Sequence, residues 1–157
     1  MASKIHITKA TLNDVDTLIR LRLDYLIMDK GQLTFEEEDA IRNQLQQYLP
    51  KHLKSGDFVA MIAWQNEMPV SAAFLLINER PANPSFITGI TGTLINVITY
   101  PDYRKKGIAT QLIKAVIEEA KKINVSSIDL AATEDGKGVY EKLGFTEPPY
   151  TAMRLKL

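Results

Sequence analysis

The sequence predicts an α+β domain, a mixed sheet with helices packed on its faces. Three observations carry that reading. Two helical patterns fill the first third of the chain, strand-length apolar runs follow from Asp57, and a long amphipathic helix lies between two later strand-like runs. The last arrangement is a β-α-β unit, whose right-handed crossover sets two strands parallel, while the runs before it read as an antiparallel hairpin. At 157 residues the chain suits one domain with a real core.

"KIHITKA" alternates Ile5 and Ile7 with polar neighbours and reads as a strand. Thr11 offers a helix N-cap with Asp14 three residues on, a variant capping box. Leu12, Val15, Leu18, Ile19, Leu21, Leu23 and Leu26 then outline a helix that ends before Gly31. "TFEEEDAIRNQLQQYLPKHL" opens on Thr34 with a glutamate-rich first turn, which suits the positive end of a second helix. From Asp57 the period changes. "DFVAMIAW" and "VSAAFLLI" read as strands around the turn "QNEMP". "NERPANPSFITGITG" is a loop by its prolines and glycines, and "TLINVITY" is a strand halted by Pro101. Ile108, Ala109, Leu112, Ile113, Val116, Ile117 and Ala120 line one face of the long helix. "SSIDLAA" is a strand, "GKGVYEKL" a short helix, and "GFTEPPYTAMRLKL" the expected last strand. The expected order is β-α-α-β-β-β-α-β-α-β.

Composition removes several function classes. The formal net charge is zero, which argues against a nucleic-acid footprint. There are no cysteines, so disulfides, thiolate metal sites and a cysteine nucleophile are excluded. His6 and His52 stand far apart without metal-ligand spacing, and no metal is expected. No apolar run is long enough to span a bilayer and the N-terminus lacks a signal-type apolar stretch, so the expectation is a cytoplasmic protein without a membrane partner. For a soluble oligomer a homodimer is the default.

Two stretches stand out. In "TYPDYRKKGIATQLI", Arg104, Lys105 and Lys106 precede a helix start, where cations oppose the helix dipole. Either this is a basic surface turn, or the amides from Lys105 to Thr110, with Gly107 allowing close approach or a positive φ, cradle an anion. It is no Walker loop, because a glycine at the required earlier spacing is missing. In "TEDGKGVYEKLGF", Gly136 and Gly138 lie in or beside a short helix, where each costs about 1 kcal/mol relative to alanine. Tyr140 there is either a core aromatic or a proton donor.

Taken together, Thr93 to Phe145 resembles the GCN5-related N-acetyltransferase (GNAT) superfamily. The acetyl-CoA signature Arg/Gln-x-x-Gly-x-Gly/Ala is matched by Arg104-Lys105-Lys106-Gly107-Ile108-Ala109, between a strand and a helix, and Tyr-x-x-x-Gly-Phe by Tyr140-Glu141-Lys142-Leu143-Gly144-Phe145. The resemblance implies a sheet in which two parallel strands splay apart around acetyl-CoA, the cosubstrate. Backbone groups of Val97, Ile98 and Thr99 would pair with its pantetheine arm. Arg104, Lys105, Lys106, Gly107, Ile108, Ala109 and Thr110 would hold its pyrophosphate. Thr133, where many relatives carry asparagine, and Gly136 would approach it closely. The implied activity is direct acetyl transfer to an amine of a small molecule or peptide. A strand amide among Val97 to Thr99 would stabilise the oxyanion, and Tyr140 would protonate the departing thiolate. The alternatives are a different acyl-CoA donor, or a CoA-binding regulatory domain without turnover. The acceptor would be set by the two early helices and the loop from Asn78 to Gly92. No general base is named.

Overall fold

A computed structural model describes residues 4–157. Its sheet has five strands in the order β1 (Ile5–Lys9), β2 (Phe58–Gln65), β3 (Met68–Glu79), β4 (Ile90–Thr99) and β5 (Ser127–Asp129). The first four are antiparallel neighbours, and β5 runs parallel to β4. Helices α1 (Val15–Lys30) and α2 (Phe35–Ser55) cover one face. Helix α3 (Ile108–Lys122) covers the other, joined by the short α4 (Lys137–Lys142). The α+β class and the mixed, mostly antiparallel sheet expected from the sequence are what the structure has.

Local chemistry accounts for the helix starts. Thr11 and Asp14 form a reciprocal capping box on a 3-10 turn, Leu12–Asp14, that leads into α1. Thr34 and Glu37 form a second at the head of α2. Helix α2 continues through Pro50. That ring removes one helical hydrogen bond, and Leu45 and Leu49, both buried, with Leu53 packed beside them, hold the helix down across the break.

The core is double. Leu18, Leu21, Leu49, Phe58, Ile62 and Phe74 fill the space between the sheet and α1–α2. Val70, Leu75, Leu112, Ile113 and Val116 fill the space between the sheet and α3. The face of α3 read from its periodicity is the buried one. Leu12, counted with the first helix's apolar face, is instead exposed on the 3-10 turn.

Two expected strands change. "SSIDLAA" is reduced to Ser127–Asp129, and "GFTEPPYTAMRLKL" forms no strand. Pro148 and Pro149 offer no amides to a ladder, and the three-residue β5 presents little edge to pair with. Tyr150, Met153 and Leu155 are exposed there. Among the described residues no helix is long and apolar enough to cross a membrane.

Candidate functional site

The site begins where β4 and β5 part. They pair only over Thr91–Thr93 against Ser127–Asp129, after which β4 runs on to Thr99 paired with β3 and, among the described residues, with no strand on its other side. A bulge lies in that free stretch. Phe74 pairs with Ile95 and Ala72 with Ile98, so Asn96 and Val97 together oppose Ala73. Asn96 takes φ 56°, a conformation that asparagine tolerates better than other non-glycine residues. Its side chain is 1% exposed. Its Oδ1 accepts from Arg22 Nη1 at 3.2 Å, and its Nδ2 donates to the Leu21 carbonyl at 3.4 Å, so the bulge is tied to α1. Asn96 marks an apolar strand interrupted by one buried amide, the sequence signal for this bulge. Arg22 carried no such signal, because an arginine within a helix reads as a solvated face.

Past the bulge the backbone alternates. The Tyr100 amide donates to the Val70 carbonyl, and the Ile98 carbonyl accepts from Ser71 Oγ at 2.7 Å. Ile98 therefore faces β3, and the backbone groups of Val97 and Thr99 face the gap. The Thr99 carbonyl accepts from Arg104 Nε at 2.9 Å. Of the three strand residues expected to meet a pantetheine arm, Val97 and Thr99 present backbone to the open side.

At the end of β4 a 3-10 turn, Pro101–Tyr103, leads to an exposed loop and then α3. Lys105 has φ 61° and Gly107 φ 77°. An ideal Cβ on Gly107 would meet nothing within 4 Å, so the positive φ is what selects glycine there. The first amide of this region with a protein acceptor is that of Gln111, which donates to Gly107. Among the described residues the amides of Lys105, Lys106, Gly107, Ile108, Ala109 and Thr110 donate to no protein oxygen. Among the described residues the side chains of Arg104, Lys105 and Lys106 form no ion pair. Six consecutive free donors, a helix dipole and three cations without a carboxylate partner among the described residues are the groups that an anion would satisfy.

Helix α4 borders the far side. Thr133 caps its approach, with Oγ1 accepting from the Gly136 amide at 3.2 Å. A Cβ on Gly136 would lie 3.2 Å from that oxygen and 3.4 Å from Tyr140 Cε2, so its close partners are Thr133 and Tyr140. Gly138 has open space around it, so packing does not explain it. Tyr140 is half-buried, its ring edge-on to Phe145 with centroids 5.8 Å apart. Burial raises its phenol above the ordinary value, and Tyr25 of α1 adds to the rise. The ring is thus packed as a core aromatic, and burial keeps the hydroxyl in its protonated form.

The acetyltransferase (GNAT) family profile matches residues 17–145. This chain belongs to the GNAT acetyltransferase family. A predicted acetyltransferase from Clostridium acetobutylicum, solved with acetyl-CoA, superposes on the GNAT chain with a TM-score of 0.84 at 28% identity, over 96% of each chain. A GCN5-related N-acetyltransferase from Ralstonia eutropha JMP134 matches at a TM-score of 0.80 and 18% identity, over 97% of this chain and 99% of that one. An uncharacterised N-acetyltransferase, ycf52, of Pyropia yezoensis is 28% identical over 82 residues. That match covers 47% of either chain, so the similarity spans about half the length of that curated relative. The elements that bear the site, from all but the first two residues of α1 to Phe145, lie within the family match.

His6 and His52 stand outside this site. His6 is exposed on β1. His52 lies near the end of α2 with Nδ1 2.8 Å from Asp57 Oδ1 and its ring against Tyr48, a local tie between helix and strand.

Proposed function

We propose that this chain transfers the acetyl group of acetyl-CoA to the amine of a small molecule or peptide. The observation that carries the reading is the run of six acceptor-free amides, Lys105 to Thr110, at the open end of a strand whose neighbour has ended. A pyrophosphate satisfies such donors, and the cations of Arg104, Lys105 and Lys106 add to its hold. The backbone groups of Val97 and Thr99 suit an extended arm laid along β4 as an added strand.

Acetyl-CoA supplies an activated acyl group and a thiolate leaving group. The chain's contribution is positioning and charge. The Val97 amide faces the gap and is the strand donor best placed to stabilise an oxyanion on the thioester carbonyl. Tyr140, held protonated by burial, is the donor for the thiolate. The acceptor amine attacks as the neutral base.

A thermal-shift series with acetyl-CoA, CoA, ATP and NAD tests the binding half. At a hundredfold excess over Kd a ligand specific for the folded state stabilises it by about 2.7 kcal/mol. A selective rise with acetyl-CoA and CoA is expected, and equal responses to all four compounds would sink the reading. CoA release in the presence of amines tests the transfer half and separates an enzyme from a regulatory CoA-binding domain.

A further inference from the structure

Between α1, α2 and the sheet lies a cavity of about 620 Å³. Its walls are mostly apolar, with Leu18, Leu49, Phe58 and Phe74 among them, and Arg22, Gln44 and Tyr48 are its polar members, Arg22 alone being charged. No acidic residue lines it. A volume of this size suits a ligand rather than a water molecule.

Arg22 is the unusual member. A guanidinium has five N–H donors, and here one meets a protein acceptor, Asn96 Oδ1. Among the described residues no carboxylate pairs with Arg22. Burial lowers its pKa and only the phenols of Tyr25 and Tyr48 oppose that, yet an arginine keeps its charge. A half-buried cation facing an apolar chamber without a counter-ion is matched by an anion that arrives with the ligand.

The position of Arg22 relates the chamber to the transfer site. Its partner Asn96 is the bulge residue of β4, and the next residue, Val97, turns its backbone to the gap. We propose that the chamber takes the acceptor, and that the acceptor is an amine carrying a carboxylate and an apolar body, an apolar α-amino acid being its smallest member. This rests on the acetyl-transfer reading above. The carboxylate pairs with Arg22 and the apolar body enters the chamber. In an α-amino acid the nitrogen sits on the carbon that bears the carboxylate, so the amine stays beside Asn96 and Val97. Its lone pair forms the new amide bond to the acetyl carbon, the carbon–sulfur bond breaks, and the amine's proton leaves to solvent. The positive field of Arg22 also favours the neutral amine, the form that attacks.

Phenylalanine and leucine, compared with phenylalaninamide, leucinamide and spermidine, test the assignment. The amides keep the apolar body and lose the charge. Their amines are less basic and more fully neutral, so a preference for the acids runs against intrinsic reactivity. The acids should exceed the amides by at least about tenfold in kcat/KM, the size of a hydrogen bond to a charged group. Arg22→Gln should abolish that preference, read as the acid-to-amide ratio within the variant, so that a change in acetyl-CoA affinity passed on through Asn96 cancels. If that variant does not fold, the wild-type comparison decides alone. Equal or faster turnover of the amides, or a preference for spermidine, overturns the proposal and leaves the acetyltransferase reading intact. Calorimetric titration of phenylalanine into CoA-saturated protein gives a readout besides turnover, and no heat of binding counts against the chamber. Should CoA compounds fail to bind, the acetyl-transfer reading falls. Phenylalanine titrated into the protein alone then decides the chamber: binding lost in Arg22→Gln supports it, and no binding overturns it.

Discussion

Tyr140 keeps its ring against Phe145, so the hydroxyl can be removed without emptying the packing. Tyr140→Phe should therefore leave acetyl-CoA affinity nearly intact and slow turnover by about 10²–10⁴-fold if protonation of the thiolate limits the rate. A loss below about tenfold would mean that water serves as the acid, and full activity in a folded variant would remove Tyr140 from the mechanism. Steady-state kinetics beside a binding titration separates these outcomes. The pH profile follows from the direction of the Tyr140 shift. Burial favours the neutral phenol, so its proton is retained up to and beyond the ordinary value of about 10. The profile of kcat/KM should thus rise as the acceptor amine loses its proton and show no alkaline fall below about pH 10. A falling limb between pH 7 and 9 that persists in Tyr140→Phe would point to another acid.

At the scale of the element, the loop before α3 separates backbone from charge. Gly107 needs φ 77°, and no protein atom lies where a Cβ would stand. In Gly107→Val a branched side chain would resist that φ and redirect the neighbouring amides. A single residue forced into a left-handed conformation costs on the order of 1–3 kcal/mol, which a folded domain can survive. Binding should suffer more, because several donors lose their common aim at once. Lys105→Ala removes one exposed cation from a screened surface and should cost CoA affinity less than about tenfold. Calorimetric titration of CoA into both variants checks the contrast. Equal losses would mean that the lysine charge, rather than the amide run, holds the phosphates.

At the scale of the molecule, the sheet is filled on both faces by residues that precede Thr146, and the chain beyond Glu147 adds no element. Glu147 itself pairs with Lys137 at 2.6 Å, while Tyr150, Met153, Leu155 and Leu157 contribute little burial. A chain ending at Glu147 should therefore unfold within about 1 kcal/mol of the full chain, since removing exposed residues takes away almost no buried area. Denaturant titration of both chains measures this, and a loss above about 2 kcal/mol would show that the terminal segment packs in solution.

The sequence by itself determined the helices, the hairpin, the crossover and the basic loop before α3, because each is written in local terms: a capping box at Thr11, a glutamate-rich first turn after Thr34, a 3.6-residue apolar stripe from Ile108 to Ala120, a glycine after three cations. Two motifs at the right separation were enough to point to the family. The strand expected over "GFTEPPYTAMRLKL" does not form, because a strand needs an edge to pair with and β5 is too short to provide one. The juxtaposition of Arg22 with the bulge at Asn96 was decided by the tertiary structure alone. Those two residues are separated by 74 positions, and no local pattern encodes a contact made only when α1 settles on β4. The same holds for the chamber behind them, since a cavity is the space left between elements that pack, and its lining comes from five of those elements at once.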